Sequence, residues 1–278
     1  MPAITILASF DKAVPIRTDP IAKEPQAHIS GPSTQSAEAP KFGIRLQNFF
    51  AQISISPLSH SRLRDSYLAT WEETRSLRLE ADVSDASAVQ LINPVDLALS
   101  AHHPKQILQL NQEASTIVGG RARADKTWHQ RLGGSSTRRF AVLDYKRPGV
   151  IQHNEFARAL CDQKHLAQNL SRADKIYTLF AGNSNILLKQ AVNYSNQYET
   201  KYIAFFDWDS LLLIYLEDAE EDNGGTCCCV ELLEDRSRFR RALLGFLEAA
   251  YQSKGGHSHG GPKYPTTPTR SSRSNARR

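Results

Sequence analysis

The sequence predicts one mixed α/β domain between two polar tails. Three observations lead to this prediction: two extended segments flank a Gly-Ser turn in mid-chain, helical and strand patterns alternate after it, and both ends lack regular apolar spacing. We expect residues 43–252 to form the domain, which is an ordinary size for one folding unit. Residues 1–42 are then a disordered leader, and residues 253–278 a disordered basic tail.

The first half of the predicted domain is mainly helical. Residues 61–79 contain no Gly or Pro and predict an amphipathic helix. Asn93 followed by Pro94 is typical of a helix start, and this helix is expected to reach residue 101. Residues 107–116 alternate weakly and predict the first strand.

A β-hairpin is predicted at the centre of the domain. Segments 122–130 and 138–146 flank a turn at Gly134-Ser135, and a two-residue Gly-Ser turn indicates a type II′ hairpin. Residues 140–143 are apolar without interruption, as expected for a central strand that is buried on both faces.

Helices and strands alternate after the hairpin. We predict helices at 155–162, 184–198 and 237–251, and strands at 201–207, 211–217 and the three consecutive cysteines 227–229. Asp207 and Asp209 are interpreted as a strand turn, because Asp favours turns. The pair His102-His103 is interpreted as a helix end, where a cation suits the helix dipole.

Charged side chains are predicted to meet on one face of the hairpin. With Gly134 and Ser135 as the turn, opposite residues have numbers that sum to 269, so Asp125 faces Asp144. Lys146, two residues further on, shares that face. Opposed carboxylates need a counter-charge. Mg²⁺ or Mn²⁺ supplies one, and Mg²⁺ prefers oxygen ligands, so the pattern is compatible with metal-assisted phosphodiester hydrolysis.

A salt-bridge ladder is the alternative interpretation. Arg123 faces Lys146 in the same register, and the charges of Arg123, Asp125, Asp144 and Lys146 cancel without a metal. Exposed pairs of this kind contribute only about 0–1 kcal/mol each. The residues alone leave both interpretations open.

A family resemblance adds to this pattern. The segment Phe-Ala-Val-Leu-Asp-Tyr-Lys at 140–146 resembles the motif III strand of the PD-(D/E)XK (restriction-endonuclease-like) phosphodiesterase superfamily, and Asp125 resembles its upstream metal-binding aspartate. Gln190, Tyr194 one turn later and the strand at 202–206 resemble the continuation seen in many members. The segments Lys-Arg-Pro-Gly at 146–149 and Phe-Asp-Trp-Asp at 206–209 resemble uncharacterised fungal proteins of this fold. The resemblance covers about residues 60–250.

The resemblance implies a restriction-endonuclease-like mixed central sheet flanked by helices, and Mg²⁺-dependent (or Mn²⁺-dependent) nuclease activity. It implies that Asp125 and Asp144 hold the metal and that Lys146 acts on water or the scissile phosphate. Gln190 would orient the substrate or the lysine, with support from Tyr194. The acid that completes the metal site stays open among Glu72, Glu73 and Glu113. Two departures from the family pattern are Ala124 in place of proline before Asp125, and Asp144 where Glu is commoner. A catalytically degenerate domain that binds nucleic acid or protein is the alternative function, and a plain interaction protein of unrelated fold is a third.

Composition restricts the partners. The net charge is +5, but the six basic residues of 254–278 are accompanied by no acid, so the rest of the chain carries −1. We therefore expect DNA or RNA contacts through the site and the basic tail. The absence of a phosphate-loop or dinucleotide fingerprint argues against a nucleotide cofactor. The longest apolar run, 202–216, is too short for a membrane span. Four cysteines without a disulfide framework suit an intracellular protein, cytoplasmic or nuclear.

Overall fold

The computed structural model describes residues 4–19, 37–68, 72–111, 124–172, 177–217 and 225–254. The strands are β1 (Ile16–Arg17), β2 (Phe42–Arg45), β3 (Thr74–Arg75), β4 (Ile107–Asn111), β5 (Lys126–Gly133), β6 (Ser136–Tyr145), β7 (Leu160–Cys161), β8 (Tyr202–Phe206), β9 (Leu211–Tyr215) and β10 (Cys227–Leu233). The helices are α1 (Ile6–Ser9), α2 (Phe49–Ile53), α3 (Ile55–Leu58), α4 (Arg62–Asp65), α5 (Glu80–Ser87), α6 (Asn93–His102), α7 (His153–Ala157), α8 (Leu166–Arg172), α9 (Gly182–Tyr198) and α10 (Phe239–Lys254). A π-helical turn at Ala88–Ile92 joins α5 to α6, and a 3₁₀ turn at Gln163–His165 precedes α8.

Eight strands form one mixed sheet in the order β4-β5-β6-β8-β9-β10-β2-β7, and β1 pairs with β3 in a separate small sheet. Strand β5 runs antiparallel to its neighbours β4 and β6, whereas β8 lies parallel to β6. A parallel neighbour requires a crossover, and α9 lies within the connection from β6 to β8. The mixed α/β prediction is therefore confirmed at the level of architecture.

The central strands are buried on both faces. On β8, the side chains of Tyr202, Ala204 and Phe206 join a core with α5, α6 and α10, while Ile203 and Phe205 join a second core with α9. This alternation explains why a continuous apolar sequence forms a strand here: both faces need apolar side chains. The sheet is thus the middle layer between two sets of helices.

The strand pairs of the hairpin that lie next to Asp125 and Asp144 have the predicted register. Lys126 pairs with Leu143 and Thr127 with Val142, and both sums are 269. The pairing register shifts by one residue between Trp128 and His129 and shifts back between Arg131 and Gly133, so that the two irregularities cancel. Gly134 has a φ of 57°, the left-handed conformation that the first position of a type II′ turn requires.

Among the described residues of 61–79, the predicted helix is wrong except at α4, and residues 69–71 lie outside the described part of the chain. The backbone N–H of Leu77 donates to the Asp19 carboxylate at 2.6 Å, which holds this segment extended. The Asp82 carboxylate accepts the N–H groups of Arg78 and Leu79, both at 2.8 Å, and so caps a helix that begins at Glu80.

The helix predicted to start at Asn93-Pro94 is confirmed as α6, which ends one residue later than predicted, at His102. The capping role of Asn93 is wrong, because helical structure is continuous from Glu80 to His102 through the π-helical turn. Pro94 is tolerated because it lies in the first turn of α6, two residues after this irregular turn ends.

Part of the predicted leader belongs to the fold, so that prediction is wrong for residues 4–19 and 37–42. Ile6, Phe10 and Val14 are fully buried, and the guanidinium of Arg240 donates to the carbonyl oxygen of Ser9. Sequence reasoning missed these contacts because the apolar residues are few and lie between prolines. Residues 20–36 and 255–278 lie outside the described residues.

The remaining predictions can be compared element by element. Helices α9 and α10 and strands β8, β9 and β10 confirm the predicted elements, with ends that differ by a few residues. The helix predicted at 155–162 is wrong beyond Ala157, because the chain then turns to pair β7 with β2 at the sheet edge. The predicted strand at 107–116 is described only as far as Asn111. Within the described part of the chain, no helix combines the length and apolar character needed to cross a membrane.

Candidate functional site

The candidate site lies where β6 ends. Asp144 is the penultimate residue of β6, and Lys146 continues the pairing with β8 through its N–H, 2.9 Å from the carbonyl oxygen of Phe206. The Lys146 ammonium donates to Asp144 Oδ2, and the two form an ion pair. Asp144 is 4% exposed and Lys146 is 6% exposed. The two charges are therefore held together almost out of contact with solvent.

Asp125 immediately precedes β5 and reaches the same place. Its Oδ2 accepts the backbone N–H of Tyr145 at 2.7 Å, which ties it to the end of β6. Continuing the register one residue beyond the pair Lys126–Leu143 places Asp125 opposite Asp144. The two carboxylates share the face of the sheet that is covered by α9, because side chains alternate along each strand.

Helix α9 contributes a glutamine and a tyrosine. Gln190 Nε2 donates to Asp144 Oδ2 at 3.2 Å and to the Tyr194 hydroxyl at 2.7 Å. The two residues are one helical turn apart and therefore lie on the same face. Gln190 Oε1 is buried and has no hydrogen-bond partner among the described residues. A buried acceptor without a donor is uncommon and indicates a place for a further group.

Glu80, the first residue of α5, is the functional candidate that sequence reasoning missed. Glu80 is exposed at the surface, but partial desolvation of its carboxyl raises the pKa, Lys146 lowers it and Asp125 raises it further. Glu80 in turn raises the pKa of Asp144, so the carboxylate faces this cluster. The predicted helix ended at residue 79, which left Glu80 without an assignment. A usable signal was Asp82, which stands where a capping residue reaches back to the start of a helix.

The other acids considered from the sequence are placed elsewhere. Glu72 forms an ion pair with Arg75 at 3.2 Å. Glu73 is exposed, and its carbonyl oxygen accepts the N–H of Ile16 beside the small sheet. Glu113 and Arg123 lie outside the described residues.

The described part of the cluster contains more acids than bases: Asp125, Asp144 and Glu80 accompany a single ammonium, that of Lys146. Burial raises the pKa of Asp144 to about 7; the ammonium of Lys146 opposes this rise, while Asp125 and Glu80 add to it. An additional cation would therefore lower the electrostatic energy of this group of carboxylates.

The predicted turn role of Asp207 and Asp209 is confirmed. Asp207 is fully buried and accepts backbone N–H groups from Ile151 at 2.8 Å and from Ser210 at 2.8 Å, which closes the turn between β8 and β9. Asp209 pairs with Arg17 at 2.9 Å and with Arg236 at 2.6 Å. These carboxylates thus have structural partners of their own.

Comparisons of the chain with protein-family models, with curated proteins and with solved structures found no match in any of the three.

Proposed function

We propose that this protein is a metal-dependent phosphodiesterase of the PD-(D/E)XK type that hydrolyses nucleic acid. One observation carries the proposal: the fold brings Asp125, Asp144, Lys146 and Gln190 together at the end of β6, and Glu80 joins them from α5.

The order of the elements supports the proposed family. A helix with an acid precedes three antiparallel strands, the third strand carries Asp144 and Lys146, a helix carries Gln190, and β8 then lies parallel to β6. This is the order that the sequence resemblance implies, and it favours a restriction-endonuclease-like sheet over an unrelated α/β arrangement.

The types of donor atom present suit a hard divalent cation. Asp125, Asp144 and Glu80 offer carboxylate oxygens, which Mg²⁺ and Mn²⁺ prefer, and Gln190 Oε1, which has no partner among the described residues, adds another oxygen. The three carboxylates do not all lie within 4.8 Å of one another, so we infer that Asp125 and Asp144 would hold the ion and that the Glu80 side chain would turn toward it. Bound there, Mg²⁺ would stabilise the negative charge that develops on the phosphate during hydrolysis.

The chain itself holds the remaining groups in place. The Lys146 ammonium lies beside Asp144 and 5.5 Å from the centre of the Phe205 ring, a position from which it would donate to a phosphate oxygen or to the attacking water. Gln190 fixes the orientation of Asp144, and Tyr194 fixes Gln190. Side chains locked by such supporting contacts need little rearrangement during reaction.

The proposed substrate class follows from the phosphate chemistry. DNA and RNA both offer phosphodiesters, and the basic residues of 254–278 would add attraction that does not depend on sequence. All four cysteines are free thiols, which suits an intracellular setting, cytoplasmic or nuclear, where such substrates occur.

A degenerate domain that binds nucleic acid or protein without cutting is the second candidate. The observation that favours it is the direct ion pair of Lys146 with Asp144, both almost fully buried. In such a domain the pair would serve as a structural contact, and metal would not be required.

Cleavage of supercoiled plasmid and of labelled single-stranded RNA separates the two candidates. We expect the full chain to cut at least one substrate with Mg²⁺ or Mn²⁺ and to stop when EDTA is added. Lys146→Ala should lower the rate at least a hundredfold with an unchanged circular-dichroism spectrum, whereas the exposed control Lys164→Ala should cut normally. Equal rates for wild type and Lys146→Ala would rule out catalysis by this site.

A further inference from the structure

A second group of metal-ligating side chains lies on the other helical layer, away from Asp144. His102 ends α6, His103 follows it, and Glu248 lies on α10. One donor atom from each residue lies within 4.8 Å of the other two. His103 Nε2 is 2.7 Å from Glu248 Oε2, and His102 Nε2 is 3.8 Å from Glu248 Oε1.

Two adjacent histidines converge because the helix stops between them. Within a continuous helix, neighbouring side chains point about 100° apart. His103 has a φ of −120° and a ψ of 69°, so it leaves the helix and turns its ring back toward His102. The two ring centres are 4.6 Å apart. A sequence signal interpreted as a simple helix end therefore produces a paired set of imidazoles.

Glu248 is a buried carboxylate, with only 1% of its side chain exposed. A buried carboxylate requires partners, and Glu248 has two: His103, and Gln252, whose Nε2 donates to Oε1 at 2.7 Å. The contact with Gln252 fixes the carboxylate in one orientation, as the groups around a metal ligand commonly do.

The ring of His103 is held just as firmly. It stacks on Tyr251 with ring centres 4.0 Å apart, and the Tyr251 hydroxyl donates to Gln106 Oε1. His102 keeps 29% of its side chain exposed, which leaves a route for an ion to enter. The ligand set is thus supported before any ion binds.

The spacing of the donors suits a tetrahedral ion. Bonds of about 2.0–2.1 Å to nitrogen and oxygen place two ligands of one zinc ion about 3.3 Å apart. The separations of His103 and His102 from the Glu248 carboxylate, 2.7 and 3.8 Å, lie on either side of this value, so small rotations would bring all three donors to bonding distance. Imidazole nitrogen with carboxylate oxygen is a typical zinc ligand set.

We propose that His102, His103 and Glu248 form a zinc site that fastens α10 to the end of α6, with water as the fourth ligand. The ion would join parts of the chain 145 residues apart, and its role is structural. The site is independent of the proposed phosphodiesterase centre.

Zinc titration of the full chain by calorimetry tests this proposal, in a background that carries His257→Ala and His259→Ala because these tail histidines are potential adventitious ligands. We expect one equivalent of Zn²⁺ to bind. At free zinc a hundredfold above Kd, the thermal midpoint should rise by about 5–10 °C.

Matched variants locate the ion. Glu248→Gln and His102→Asn should each lower zinc affinity at least tenfold, and His102→Asn removes a partly exposed ring, so that the fold is retained. The exposed control His165→Ala should bind zinc normally. Asp144→Asn should also bind normally, which separates this site from the candidate phosphodiesterase centre.

Three results would overturn the proposal: no saturable zinc binding in the tail-histidine background, unchanged affinity in both Glu248→Gln and His102→Asn, or loss of the bound equivalent in Asp144→Asn. Under any of these three results, the contact between His103 and Glu248 would be an ion pair that holds no metal.

Discussion

Burial of Asp144 should make the stability of the metal-free protein depend on pH in a specific direction. The pKa of this carboxyl is raised from 3.8 to about 7, chiefly by burial. The folded protein therefore holds the proton more tightly than the unfolded chain does. The associated stabilisation is fully present below about pH 4 and is lost as the pH rises through about 7.

The magnitude follows from the two pKa values. Each tenfold difference in proton affinity corresponds to about 1.4 kcal/mol, so the full effect is about 4 kcal/mol. Between pH 5.5 and 8, about 2 kcal/mol of unfolding free energy should be lost, which is about 4–8 °C in the thermal midpoint.

Thermal unfolding in the presence of EDTA at several pH values between 5.5 and 8 measures this loss. The comparison protein carries Asp144→Asn with Lys146→Met, so that neither a carboxylate nor an unpaired ammonium stays buried. All other titrating groups are common to both proteins, so the difference between the two profiles reports chiefly the titration of Asp144.

Wild type should lose about 2 kcal/mol more than the double variant over this range, and Mg²⁺ at pH 8 should restore stability to wild type alone. Parallel profiles for the two proteins would show that Asp144 does not titrate in this range. The account of Asp144 as a buried carboxyl with a raised pKa would then be refuted.

Three further predictions concern single residues. Glu80→Gln should lower Mg²⁺-dependent cleavage at least tenfold. It should shift the thermal midpoint by less than about 2 °C, because this side chain is exposed. Unchanged cleavage would remove Glu80 from the site. Gln190→Leu should also lower cleavage at least tenfold. It should lower the free energy of unfolding, measured in urea, by about 1–2 kcal/mol, since Asp144 and Tyr194 lose a shared donor. Full activity would contradict the positioning role of Gln190. Gly245→Ala should lower the free energy of unfolding in the same assay by about 1–3 kcal/mol, because a Cβ would lie 1.7 Å from the carbonyl oxygen of Phe50. A urea midpoint equal to that of wild type would contradict the close approach of α10 and α2.

The hairpin could be predicted because its determinants are local. The Gly134-Ser135 turn fixes the register, and strand alternation then assigns Asp125, Asp144 and Lys146 to one face. The placement of Gln190 relied on family order, and the hydrogen bond from its side chain to Asp144 agrees with that order.

The acid on α5 could not be assigned in the same way, because the start of that helix depends on a distant contact. Asp19, far from the helix in sequence, holds Leu77 extended and delays the helix until Glu80. The periodicity of apolar residues reflects only neighbouring positions, and it therefore predicted a helix that continues to residue 79. The approach of His103 to Glu248 is likewise a long-range contact that no local pattern encodes.

Calorimetric titration of the full chain with Mn²⁺ tests most directly whether the carboxylates at the end of β6 share an ion. The account predicts saturable binding that is lost in Asp125→Asn and retained in Glu248→Gln. Binding that persists unchanged in Asp125→Asn, or a titration with no saturable heat in wild type, would contradict it.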